Sequence, residues 1–158
     1  MSLPTELAAL FRRDLTRLLQ EINAFPDQPT LWATVEGVTN SAGNLALHLE
    51  GNLREYIGRQ LGQIPYVRHR ALEFTSTDVP LQDITSRVEQ VRDLVVQVVS
   101  GLSPSILDEI YPEPVLSIPL STRQFLLHLL GHLSYHLGQI DYLRRILTGG
   151  KAVPFASL

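Results

Sequence analysis

The feature that most constrains this chain is a long segment from Ser121-Thr122 to Thr148-Gly149-Gly150. It is apolar on nearly all sides. Its polar breaks include three histidines, His128, His132 and His136, at intervals of four. The histidines interrupt the stretch from Phe125 to Leu137 too early for it to cross a bilayer, which takes about 20 apolar residues. Glycine after Thr148 is a good helix stop, because it takes the left-handed conformation at little cost. The segment therefore reads as a helix. A helix apolar all round is expected at the centre of a bundle, touching several neighbours.

Three more segments carry a helical period. In the first, Leu7, Phe11, Leu15, Leu18 and Ile22 form one stripe, with Arg12, Arg13, Asp14, Arg17 and Gln20 on the other side. Phe25-Pro26 ends it, since proline disfavours a helical residue before it. The second starts at Asn40 or Ser41, either of which can cap a helix. Its inward stripe is Leu45, His48, Leu49, Asn52, Leu53, Tyr56 and Ile57, so two polar residues one turn apart sit on a face that should be buried. The third follows Thr77-Asp78, with Pro80 suited to a first turn. Its stripe runs Leu81, Ile84, Val88, Val91, Leu94, Val95, Val98 and Val99, and Gly101 closes it. Its valines favour strands, but the spacing is helical and the charges lie opposite.

These segments predict an all-α four-helix bundle, one domain over residues 1–158, with long crossover connections at Pro26–Thr39, Gly62–Val79 and Leu102–Leu120. Long connections suggest crossovers or loops that build a site. The middle one could leave the second and third helices parallel. Within the last, Pro104 to Ile110 suits an extra short helix and Pro114 to Leu120 an extended stretch.

With 44% hydrophobic and 18% charged residues, the chain reads as globular. A net charge of -3 offers no basic footprint for nucleic acid and no polybasic patch for an anionic membrane. With no signal-like segment, a cytoplasmic protein is expected. Cysteine is absent, so disulfides, cysteine nucleophiles and thiolate metal ligands are excluded, and any metal must be held by nitrogen and oxygen.

Four-residue steps on a helix rotate only about 40°, so His128, His132 and His136 wind slowly along one face. Two imidazoles so spaced can reach one ion. A third ligand must come from elsewhere, and inward-facing His48 is the candidate. A single histidine on an apolar face is usually a core residue bonded to a backbone carbonyl. Here histidines break two inward stripes at once, and burying several imidazoles without a partner is costly. Imidazole suits zinc, nickel, iron and copper, and is poor for calcium and magnesium. Three neutral histidines leave an ion at +2 with an open position, as in catalytic sites. No glutamate adjoins the helical pair, so the metalloprotease signature is missing. No Ser-His-Asp arrangement or phosphate loop is evident.

The run Leu127-Leu-His-Leu-Leu-Gly-His-Leu-Ser-Tyr-His-Leu-Gly-Gln-Ile140 resembles the final helix of the DinB-like superfamily, with its histidine pair followed by Gly-Gln and a hydrophobic residue. Ser41 to Leu53 resembles that family's second helix, and Tyr66 to Phe74 a loop of one uncharacterised subgroup. The likeness spans about Trp32 to Gly149. It implies a DinB-like four-helix bundle, often a homodimer, with zinc or nickel on His48, His132 and His136. It also implies a role for His128 beside the metal. Characterised relatives include bacillithiol S-transferases and mycothiol-dependent isomerases, in which the metal activates a low-molecular-weight thiol. The expectation is a metalloenzyme acting on a small-molecule substrate by S-transfer in detoxification or stress response. The alternatives are a metal-dependent hydrolase and a non-catalytic bundle with a structural metal. Tyr135 stands where many relatives carry a further histidine, which leaves the pocket chemistry open.

Around these ligands, Asn52 is a candidate to hydrogen-bond a metal-bound water or a ligand imidazole, against the equally common outcome of a buried asparagine bonded to backbone. Gln139 could meet the same pocket or bond across to another helix, and Tyr135 could line the pocket. In the middle connection, Arg68 and Arg70 could bind an anionic substrate. The commoner outcome is solvation, or an ion pair with Glu73. His69 is expected to be exposed.

Overall fold

The computed structural model describes residues 2–115 and 117–154. Met1, Leu116 and residues 155–158, which the expected domain includes, lie outside the described residues. The elements are α1 (Leu3–Asn23), α2 (Gln28–Trp32), α3 (Ala42–Leu53), a π-helical turn (Arg54–Arg59), α4 (Arg70–Thr75), α5 (Leu81–Ser100), α6 (Pro104–Asp108) and α7 (Thr122–Thr148). The architecture is an all-α four-helix bundle built from α1, α3 with its π turn, α5 and α7. Around it the order is α1, α5, α3, α7.

Side-chain pairs fix the directions. Arg87 meets Glu50, Arg54 meets Gln90 and Gly58 packs against Leu94, so α3 and α5 run parallel, as the long middle connection suggested. Ser134 meets Asp14 and Arg144 meets Glu21, so α1 and α7 are parallel too. His48 faces His132 while Tyr56 faces Phe125, so α3 and α7 are antiparallel.

The predicted stripe of α1 and most of that of α5 form the core, with Leu81, Leu94 and Val98 of the α5 stripe only partly buried against it. Leu7, Phe11, Leu15, Leu18 and Ile22 are buried, as are Ile84, Val88, Val91, Val95 and Val99. Asp14 departs from its expected solvent side. It is buried and accepts hydrogen bonds from Arg13, Arg17 and Ser134. A carboxylate there is tolerable because cationic and hydroxyl donors surround it.

The central helix is α3, not α7. Every residue of α3 is buried, because short helices inside two of the connections cover its outer side. Asp27 caps α2 through Thr30, and α2 lays Trp32 over Gly43, where a Cβ would come within 2.8 Å of the indole ring. The other cover, α4, occupies the stretch expected as loop. Conversely, α7 shows solvent an outer face of Leu127, Tyr135, Tyr142 and Ile146. In the last connection α6 forms as expected. Beyond it there are isolated bridges, Ile110 with Ser121 and Val115 with Ile118, in place of a continuous extended stretch.

Candidate metal centre

The site begins with the start of α3. Ser41 accepts from the Asn44 backbone N–H, and the Asn44 carboxamide accepts from the Ser41 N–H, a reciprocal cap. The same Asn44 donates through Nδ2 to the carbonyls of Glu73 and Ser76, at 3.1 and 2.9 Å. One residue thus starts α3 and pins α4 across it. Gly51 makes the close approach possible, since a Cβ there would collide with Glu73 Oε1.

Glu73 is thereby set beside His48. Its Oε2 accepts from His48 Nδ1 at 2.9 Å. Arg68 grips both carboxylate oxygens, Nε to Oε1 at 2.6 Å and Nη2 to Oε2 at 2.8 Å. Burial would push the Glu73 carboxyl up, but the bonds from His48 and Arg68 prevail and hold it below its ordinary value. Glu73 is therefore an anion, able only to accept, so His48 Nδ1 carries the proton and His48 Nε2 is left with a lone pair.

That lone pair points at His132 Nε2, 3.1 Å away. The third ring, His136, lies 4.6 Å from His132 and 5.2 Å from His48 between centroids. Its Nδ1 is 2.6 Å from Gln139 Oε1 and donates to it, which leaves its Nε2 free to coordinate. His48, His132 and His136 each offer a nitrogen, all within 4.8 Å of one another, and they are the one group of this kind among the described residues. The donor set fits a divalent transition metal: neutral nitrogens, no thiolate, and two tautomers set by acceptors on the far ring nitrogen. Burial, then the proximity of His136 and His48, pushes His132 down to about 4, and burial also lowers His136. Both are neutral, and so competent as ligands, at physiological pH.

A cavity of about 400 Å³ opens beside the histidines. His48, His132 and Asn52 line it, together with Arg68, Arg70 and His128. The π turn and the last connection form another wall, joined by the Tyr111 hydroxyl, which donates to the Tyr56 carbonyl at 2.6 Å. π turns recur at functional sites because they re-aim the side chains that follow. Arg70 lies over the Phe74 ring, and His128 stacks on Phe125.

Of the residues singled out from sequence, His48, His132, Asn52 and His128 line this cavity, while His136 completes the histidine cluster and Gln139 bonds to it without lining the cavity. Tyr135 does not line the cavity. It is 65% exposed on the outer face of α7, with its ring 5.2 Å from that of His136. Arg68 is engaged by Glu73, and His69 is exposed as expected. The roles of Glu73 and Asn44 were missed. The available signal was chemical: a buried ligand histidine needs an acceptor for its second nitrogen.

Two outcomes follow. Gly51→Ala is expected to leave the bundle folded but to push Glu73 off His48, and so to weaken the uptake of a divalent metal, with zinc as the probe, by about 10–100-fold, the usual cost of losing an outer partner of a ligand. Competition against a chelator, with circular dichroism as the fold control, measures this. The second concerns pH. A histidine whose pKa is lower folded than unfolded binds protons preferentially in the unfolded chain. The metal-free protein should therefore lose stability as pH falls from about 6.5, the ordinary histidine value, towards about 4 for His132. Urea midpoints at pH 7.5 and 5.5 test this, and His132→Gln should flatten the difference.

A helical bundle with a three-histidine cluster between antiparallel helices defines the class. The chain belongs to the DinB superfamily, whose family model matches residues 10–140. A crystal structure of a conserved protein from Enterococcus faecalis has the same fold. The TM-score is 0.76 at 15% identity, covering 95% of this chain and 99% of that one. No curated protein matches the sequence. Among the described residues, no helix is long and apolar enough to cross a membrane.

Proposed function

We propose that His48, His132 and His136 hold a divalent transition metal, zinc or nickel, in a metal-dependent enzyme that activates a small thiol or water. The observation that carries this reading is the pair of far-nitrogen acceptors, Glu73 on His48 and Gln139 on His136. Each sets a tautomer that presents Nε2 to the centre. The bound ion would act as a Lewis acid, lowering the pKa of a thiol or water at its open position.

The chain supplies the rest. Phe125 and Leu129 make an apolar part of the cavity wall. Arg70, with no carboxylate partner among the described residues, presents a cation to an anionic group on the substrate. The choice of a thiol follows the characterised relatives, as does S-transfer in detoxification.

The test is metal analysis of untagged protein, then turnover with a panel of low-molecular-weight thiols and electrophiles. Stoichiometric metal with thiol-dependent turnover supports the reading. Metal with turnover by water alone makes the protein a hydrolase. Absence of metal after titration overturns the centre itself.

The outer face of α7 supports a homodimer as part of this proposal. Its two glycines stand symmetrically about the midpoint of Ser134 and Tyr135. In an antiparallel pair Gly131 falls opposite Gly138, Leu127 opposite Tyr142, and His128 opposite Asp141. Nothing lies within 4 Å of where a Cβ would stand on Gly131 or Gly138, so a second helix can approach closely. Sedimentation should give a dimer for wild type and a monomer for Tyr142→Glu; a monomeric wild type would remove the proposal.

A further inference from the structure

Two buried side-chain polar atoms lining the cavity have no hydrogen-bond partner: Asn52 Oδ1 and His132 Nδ1. One is an acceptor and the other a potential donor. Asn52 is only 7% exposed, so water does not readily serve it. Unpaired buried polar atoms are uncommon in folded proteins, and two complementary ones on a single cavity call for a shared cause.

The ligand set supplies that cause. His48 has an acceptor for its second nitrogen, and so does His136. His132 has none. To turn the lone pair of Nε2 towards an ion, His132 must carry its proton on Nδ1, and that N–H must find an acceptor. The antiparallel register of α3 on α7, read from His48 against His132 and Tyr56 against Phe125, sets Asn52 level with His128 and Leu129. The His132 side chain leans towards that level, since helical side chains tilt towards the helix N-terminus. His128 does not fill the role, since its ring stacks at 6.5 Å from that of His132.

We infer that Asn52 is the positioning residue for His132, its Oδ1 accepting the Nδ1–H once His132 Nε2 coordinates metal. This rests on the metal reading above. The centre is then three imidazoles, each oriented by one acceptor of the chain: Glu73 for His48, Asn52 for His132, Gln139 for His136. Asn52 touches neither ion nor substrate in this role.

The experiment compares wild type with Asn52→Ala and Asn52→Asp, using zinc as the probe. Asn52→Ala should bind zinc about 10–100-fold more weakly. Asn52→Asp, which keeps an acceptor oxygen, should recover most of the loss. Long-range proton–nitrogen NMR of the zinc-loaded protein gives a readout that a merely structural role would not move. Three protected Nδ1–H signals are expected in wild type, and Asn52→Ala should lose that of His132 alone. Equal zinc affinity and three protected signals in Asn52→Ala would overturn the inference while leaving the metal centre standing. A wild type that takes up no zinc or nickel would remove both. If Asn52→Ala does not fold, Asn52→Asp against Asn52→Leu decides on the same readouts.

Discussion

Replacing His132 by alanine is expected to abolish tight zinc binding, with a larger loss than the about 10–100-fold that follows removal of an outer partner. His132 is the middle ring of the three, 3.1 Å from His48 and adjacent to His136 on α7. Without it two imidazoles remain, which is too few for a tight site. A ligand that binds only the folded state stabilises it by about 2.7 kcal/mol at 100 times its dissociation constant. Zinc should therefore raise the melting temperature of wild type and leave His132→Ala unmoved. The metal-free variant should melt close to metal-free wild type, because removing a desolvated imidazole relieves one cost while opening a small cavity. Equal zinc-dependent stabilisation of both proteins would place the metal elsewhere.

The second large effect lies outside the centre, on the seam of α1 and α7. Arg144 is buried against Glu21, and burial, the dominant influence, raises the Glu21 pKa despite that partner. Glu21→Leu leaves a buried guanidinium without its main counter-charge, which typically costs about 3–5 kcal/mol. The low end is expected, because Asp141 and the Lys151 carbonyl still accept from Arg144 at 3.3 and 3.0 Å. The double variant Glu21→Leu with Arg144→Met should recover most of the loss, since well-packed apolar residues often replace a buried pair without penalty. Urea unfolding of the three proteins checks both statements. A single variant as stable as wild type would show that Asp141 alone suffices.

The legible part of this protein was what periodicity encodes. The stripe of α1 and the inner line of that of α5 mark residues that are buried, and His48, His132 and His136 stand as polar breaks on apolar faces. What periodicity does not encode is which helix is covered by what. The face of α3 opposite its stripe is buried by Trp32 and Glu73, from helices too short to show a period. The outer face of α7 intersperses Leu127, Tyr135, Tyr142 and Ile146 among its polar residues, so α7 read as central. Asp14 read as a surface residue because its burial depends on Ser134, 120 residues away. Glu73 read as a loop charge for the same reason: its meaning comes from His48 across a turn of backbone that only the folded chain makes.

The placement of the three histidines also bears on how the chain is held together. His48 and His132 are 84 residues apart and come from different helices. An ion shared between them would act as a cross-link closing a long loop in a chain with no cysteine for a disulfide. Cross-links across loops of that length remove unfolded-state entropy equivalent to about 4–5 kcal/mol in the chain-entropy model. Because one end of the link lies on α7, the last of the four bundle helices, the staple can close only after that helix has docked. Metal capture would then lock the finished bundle and do little to start its assembly.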